Sequence, residues 1–264
     1  QLSLESTPAT YEQINYILQS GIHSTTSTTD SNGFLYTYTF PIETSDAHTS
    51  TDLQTLTWEG GDNAQAEEFA YGFVRSFTLS GSAGEALMMS AEVVGRQVAA
   101  STFTADLSIP SVHEILFSTG KLYIDDTDTS PATSQISNEF LDMNLSVTTG
   151  WVPVYTADGN LYFSFIKQAM PEAILSITFE HNTSAIAEIA NWRAGTARVI
   201  RVGFTGDTGY EAYFDLAVKW DNFGKIGERD GNDIVEGTFR ARYNSTAAQF
   251  FQAEIHALTL ETLP

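Results

Sequence analysis

Val74–Arg96 reads VRSFTLSGSAGEALMMSAEVVGR. In its first run Ser76, Thr78 and Ser80 alternate with Phe77 and Leu79; in its second, Ser90 and Glu92 alternate with Met89, Ala91 and Val93. A period of two puts the polar set on one face and the apolar set on the other, the signature of a β-hairpin with one buried side. Between the runs, GSAG supplies the small residues that a tight reversal favours. A weaker echo returns downstream as FLDMNLSVTT (Phe140–Thr149) and AILSITFEHN (Ala173–Asn182).

The rest of the chain reads in the same way. FLYTYTFPI (Phe34–Ile42) and LQTLTWEG (Leu53–Gly60) alternate aromatic or aliphatic residues with Thr and Tyr, and polar stretches flank them. FTADLSIP, KLYIDD, LYFSFI, ARVIRVGF, YEAYFDLAVKW, DIVEGTFRARY and FFQAEIHALTL continue the series to the C-terminal end. Helical patterns are short. Ser111–Ser118 follows Pro110 and groups Val112, Ile115 and Leu116 before Gly120. Ser184–Arg193 starts at a Thr or Ser cap, stops at Gly195 and aligns Ile186, Ile189 and Trp192. A third turn of helix is expected in Thr10–Leu18, capped by Thr10 with Gln13 at the capping-box position.

Hairpin, helix, glycine and strand thus occur twice, from Phe73 and again from Phe140. Repetition of this kind indicates a duplicated structural unit. The expected fold is mainly β, with sandwich- or barrel-forming sheets, a few short helices and two tandem units at residues 1–130 and 131–264. The Ser/Thr-rich stretch around Pro131 reads as the linker. Open edge strands in such units must be capped, charged or paired with another copy, and head-to-tail pairing that closes makes a ring.

Composition narrows the function classes. The chain has 264 residues, 42% hydrophobic and 17% charged, which is enough to bury a sizeable core. No apolar run is long enough to span a bilayer, so no membrane role is expected. No secretory leader pattern is visible in the first residues. Cysteine is absent, which removes disulfides and thiolate metal sites. Thirty-three acidic residues against twelve basic ones give a net charge of -21. That balance opposes tight phosphate binding and fits solubility, cation binding or a surface that repels phosphate.

SFTLSGSAGEALMMSAEVVGR, together with YTYTF, LTWEGGDNAQ, GKLYID and the IRVGFTG to LETLP block, resembles the tail tube proteins of phages with long non-contractile tails. The resemblance covers nearly the whole chain and points to the longer, duplicated class. It implies trimeric, pseudo-sixfold rings stacked into a hollow tube that conducts double-stranded DNA without binding it tightly. The implied partners are other copies of the chain, the tape-measure protein and the tail terminator and distal tail proteins. The implied location is the virion, after assembly in the host cytoplasm, and no cofactor is implied. A negative lumen suits this role, because it holds a duplex off the wall over about one Debye length, roughly 8 Å. The scarce basic residues are then expected in subunit contacts, paired with acids of the neighbour.

In this reading the inner-tube hairpin carries Ser76, Thr78, Ser80 and Ser90, and the echo strands add Asp142, Asn144, Ser146, Ser176 and Thr178. Glu92 and Glu180 hold matching places in hairpin and echo, and with Asp142 they are the candidate lumen-facing acids. An ordinary solvated sheet face would show the same alternation. Thr148–Pro171 is expected to extend toward the next ring, with Trp151 and Tyr155 as anchors. Both aromatics could equally pack on their own domain.

Other chemistries are weaker. LYIDDTDTS resembles the opening of the haloacid-dehalogenase phosphotransferases, with Asp126 and Asp128 in the nucleophile and acid places, but those enzymes need a parallel α/β core. The Asp30 turn and Asp230–Asp233 lack the Glu of a calcium loop. His23, His48, His113, His181 and His256 show no ligand spacing, and the sequons at Asn144, Asn182 and Asn244 require a secretory context. No catalytic or metal residue is assigned. The alternative is a secreted or surface β-sandwich that binds carbohydrate or acts as an adhesin. A ring-forming tail terminator of the same lineage is a third possibility.

Overall fold

The alternation in Val74–Arg96 is realised as two paired strands, β5 (Ala66–Ser82) and β6 (Met88–Val94), in a computed structural model. It describes residues 1–22, 27–30, 33–40, 53–62, 64–105, 111–127, 131–136 and 139–258. Before the hairpin come β1 (Leu2–Pro8), α1 (Ile14–Gly21), β2 (Thr28–Asp30), β3 (Gly33–Thr39) and β4 (Leu56–Gly61). After it come β7 (Val98–Ser101), β8 (Gly120–Asp126), β9 (Gln135–Ile136), β10 (Phe140–Thr148), β11 (Trp151–Val154) and β12 (Phe165–Gln168). The chain continues with β13 (Glu172–Glu180), α2 (Thr183–Ala194), β14 (Ala197–Thr205), β15 (Glu211–Phe223), β16 (Gly227–Arg229), β17 (Asn232–Ala241) and β18 (Phe251–Ala257). The fold is mainly β, and every pairing among the described strands is antiparallel.

Sixteen strands connect into one sheet along the path β1-β6-β5-β10-β13-β17-β15-β14-β8-β9, with β18 on β15 and β3, while β11 and β12 pair separately. Two triplets in this path, β1-β6-β5 and β13-β17-β15, have the same order: in each, the first strand runs into a helix, and the other two form a long hairpin. Four antiparallel steps separate equivalent strands, so β1 and β13 run in the same direction. Each long hairpin carries one extra residue, Arg75 on β5 and Asp221 on β15. The units also interlock, because β8 pairs with β14, β3 with β18 and β5 with β10. One hydrophobic core serves both.

The repetition therefore lies in a different frame from the one expected. The counterpart of β5–β6 is β15–β17, and β10–β13 is not a second copy of that hairpin. Ser111–Ser118 is not a helix either. His113 and Ile115 bond to the backbone of Tyr11, Ala9 and Leu87, the N–H of Phe117 donates to Glu85 O, and a single 3-10 turn follows at Phe117–Thr119. Ile115 and Phe117 are buried while Leu116 is exposed. The segment follows a period of two, and neighbouring strand ends outcompete its weak helical pattern. Of the expected strand Phe103–Pro110, residues 103–105 are irregular and 106–110 lie outside the described residues, as do Pro41, Ile42, His23, His48 and Asp128.

The helix termini follow local chemistry. Thr10 Oγ1 accepts from the Gln13 N–H at 3.1 Å in the turn that leads into α1. The helix itself starts at Ile14 with Gln13 at its N-cap and no side-chain cap, which corrects the expected helix from Thr10 and its capping box. Asn182, one residue before the expected cap, accepts from the N–H groups of Ser184 and Ala185, and Gly195 closes α2 at φ 67°. The buried side of α2 is Ala185 and Glu188, whereas Ile186 is 57% exposed. Glu188 turns inward because Trp220 Nε1 donates to it at 2.8 Å and Arg198 Nη2 lies 3.0 Å away.

Candidate functional site

The polar face of β6-β5-β10-β13-β17 is a five-strand surface built from the sequence alternation. Its reverse carries Phe77, Leu79, Met143, Leu145, Leu175, Ile177 and Phe239, all in the core. Cross-strand register fixes what stands beside what on the polar side. One row is Glu92, Ser76, Thr148 and Glu172. The next is Ser90, Thr78, Ser146, Ile174 and Arg240, and the third Met88, Ser80, Asn144, Ser176 and Thr238. The fourth is Ser82, Asp142, Thr178 and Glu236, with Glu180 beyond it. Ser176 and Thr238 share a hydrogen bond at 3.2 Å.

Ser76, Thr78, Ser80, Ser90, Glu92, Asp142 and Glu180 all fall on this face. Glu92 and Glu180 do not hold matching places. Because β5 and β10 are antiparallel, the two acids lie at opposite ends of the face, eight residues apart along the strands, or roughly 27 Å. In the repeat frame, with the extra residues Arg75 and Asp221 aligned, the residue that corresponds to Glu92 is Thr238: each stands opposite the residue that follows the extra one, Ser76 and Asn222 respectively. The acids thus mark the two rims, and hydroxyls and one amide dominate the middle.

Charge on the rims is largely compensated within the chain. Arg75 Nη1 is 3.6 Å from Glu92, Arg229 Nη1 is 2.5 Å from Asp142, and Arg240 contacts Glu172 and Asp221. Arg198 pairs with Asp126 and Glu188, and Arg201 pairs with Asp215 and Glu254. The expectation that basic residues are kept for a neighbour's acids is corrected for these five arginines, whose partners are intrachain. Arg229, Arg240, Glu172 and Glu236 were missed as residues of this face. The alternation in DIVEGTFRARY announces Glu236 and Arg240, but only the register of β17 on β13 puts them here.

Trp151, expected to reach a neighbouring ring, is 1% exposed. Its indole donates to Gly21 O at 2.9 Å, and it packs in a small second core with Leu53, Phe73, Phe163 and Ile166. The β11–β12 hairpin lies against β5, and Trp151 reaches the end of α1 through its bond to Gly21. Tyr155 is 64% exposed and meets Phe163 edge-on, with ring centroids 6.5 Å apart.

Asp126 lies on an antiparallel strand and is bound to Arg198, and Asp125 accepts the N–H groups of Thr133 and Ser134. Among the described residues no cluster of His, Asp and Glu has the geometry to hold a metal, and no helix is long and apolar enough to cross a membrane. No protein-family model and no curated protein matches the chain.

Proposed function

We propose that the chain is the major tail tube subunit of a bacteriophage, a structural protein without catalysis. The observation that carries this reading is the five-strand polar face, backed by core and flanked by two units that repeat in the same strand direction. Repeats that run in the same direction can continue from chain to chain into a closed ring, and the resemblance to tail tube proteins implies three chains of two units, a pseudo-sixfold ring. The outer edge of β1 has no strand partner among the described residues, which suits closure by a neighbouring chain.

The proposed lumen is the polar face. Its hydroxyl-rich middle rows carry one cation, Arg240, which Glu172 and Asp221 already engage, and the net charge of -21 discourages DNA from resting on the wall. Ring stacking, the tape-measure protein and the terminator and distal tail proteins belong to the same proposal, as does a virion location.

A saccharide-binding surface module is the second reading, favoured by the exposed Tyr71 and Tyr155 near Arg96. Negative-stain electron microscopy of the purified chain over a concentration series separates the two. Hollow tubes or stacked rings support the tube subunit, isolated rings a terminator, and monomers at every concentration the binding module.

A further inference from the structure

The tube reading leaves unexplained one arginine that is built differently from the ion-paired five. Arg96 follows β6, and its guanidinium carbon lies 3.8 Å from the Tyr71 ring centroid, 5.3 Å from that of Phe163 and 5.5 Å from that of Tyr162. Nη2 donates to Ser164 O at 2.8 Å, Nε has no acceptor, and no carboxylate among the described residues is in ion-pair range. An unpaired guanidinium held among aromatic rings is partly stripped of water, which strengthens any charge that reaches it.

The surroundings are shaped around it. Tyr71 holds φ at 55°, a left-handed conformation that few non-glycine residues adopt, and is half exposed with its ring against Arg96. Beside the guanidinium opens a cleft of about 470 Å³ lined by Gln97, Tyr155, Asn160 and Leu161. Asp158 fixes the turn that forms its wall by accepting from the Asn160 N–H and the Ser164 hydroxyl.

We propose that this cleft is a socket for a carboxylate of the next copy in the stack, and that Glu85 is the group that enters it. This rests on the tube reading. Arg96 stands at one end of the β5–β6 hairpin and Glu85 in the turn at the other, with the seven residues of β6 between them, roughly 23 Å. When copies stack with one polarity, those two ends face each other. Glu85 is exposed, has no ion-pair partner among the described residues, and sits in a turn held by its N–H on Ser82 O and by its carbonyl, which accepts from Phe117. The two ends are complementary in charge: an aromatic-bound cation with no carboxylate partner at one, an exposed carboxylate with no ion-pair partner among the described residues at the other.

The test is polymerisation of the full chain, followed by light scattering and electron microscopy, for wild type, Arg96→Glu, Glu85→Arg and the double exchange. Each single variant is expected to raise the concentration needed for tubes about tenfold, the effect of losing one desolvated charge pair. The double exchange is expected to restore most of the loss. Glu85→Arg changes only an exposed turn, so its defect cannot come from misfolding of the aromatic cage. Tubes from both single variants at the wild-type concentration would overturn the contact while leaving the tube reading intact, as would a double exchange no better than either single. Wild-type chain that never polymerises would overturn both. Polygalacturonate that shifts the melting of wild type but not of Arg96→Glu, with polymerisation unchanged, would reassign the cleft to acidic saccharides.

Discussion

Trp220 donates its indole N–H to Glu188 at 2.8 Å, across the boundary between α2 and the sheet. The other oxygen of the same carboxylate takes Arg198 at 3.0 Å and Asn191 at 3.0 Å, and Glu188 is 4% exposed. Helix α2 is thus fixed to β14 and β15 by a buried polar network as well as by apolar packing. Glu188→Ala leaves the buried Trp220 indole N–H without its acceptor, while Arg198 keeps Asp126 and the Ile124 carbonyl. The substitution is expected to cost about 1–3 kcal/mol. Urea unfolding checks this, and Glu188→Gln, which keeps one acceptor, should lose less.

Gly237 makes room for the same tryptophan. A Cβ there would lie 2.1 Å from Trp220 Cζ3, and Trp220 is already wedged against Phe239 with ring centroids 3.5 Å apart. Gly237→Ala should destabilise by about 1–3 kcal/mol through overpacking, with the urea midpoint falling and the slope unchanged.

Alkaline stability depends on buried tyrosines. Burial pushes the Tyr11 hydroxyl from 10.0 up to about 12, and burial also raises that of Tyr38. A hydroxyl whose folded pKa lies above its unfolded value keeps its proton longer in the folded state. The stability it brings is intact below pH 10 and is lost as pH climbs through about 12. Melting temperature should therefore fall between those values, and Tyr11→Phe should show a shallower decline than wild type over that window.

If the polar face is a DNA conduit, its neutral middle band is where a new cation does most harm. Ser80→Lys and Asn144→Lys stand side by side there. Tubes of either variant are expected to bind short duplex DNA with a log–log salt slope of about -0.9 per phosphate engaged, against no measurable binding for wild-type tubes. Fluorescence anisotropy at several salt concentrations measures it. Equal binding by wild type and variants would remove the face from the lumen.

Local signals in the sequence carried far. Alternation in Val74–Arg96 announces the hairpin and its two faces, and Gly195 announces the end of α2, whereas Thr10 marks only the turn that precedes α1. The members of the polar face on β5, β6, β10 and β13 were legible for the same reason: a period of two assigns a side chain to a face without reference to any partner strand. Ser111–Ser118 is ambiguous because its four apolar residues in eight fit both periods, and backbone partners at Ala9 and Leu87 settle the choice.

Which strands meet was decided only in three dimensions. Composition and local alternation alone carry the mainly β class, the acidity and the absence of cysteine. Only the tertiary structure shows that β5–β6 repeats as β15–β17, that Glu92 and Glu180 lie at opposite rims of one face, and that Trp151 turns into a core beside Gly21. The division has a physical cause. Side-chain alternation is set by the geometry of single residues in one strand, whereas pairing is won by whichever distant segment satisfies the most backbone groups and buries the most apolar surface, a competition that no local stretch records.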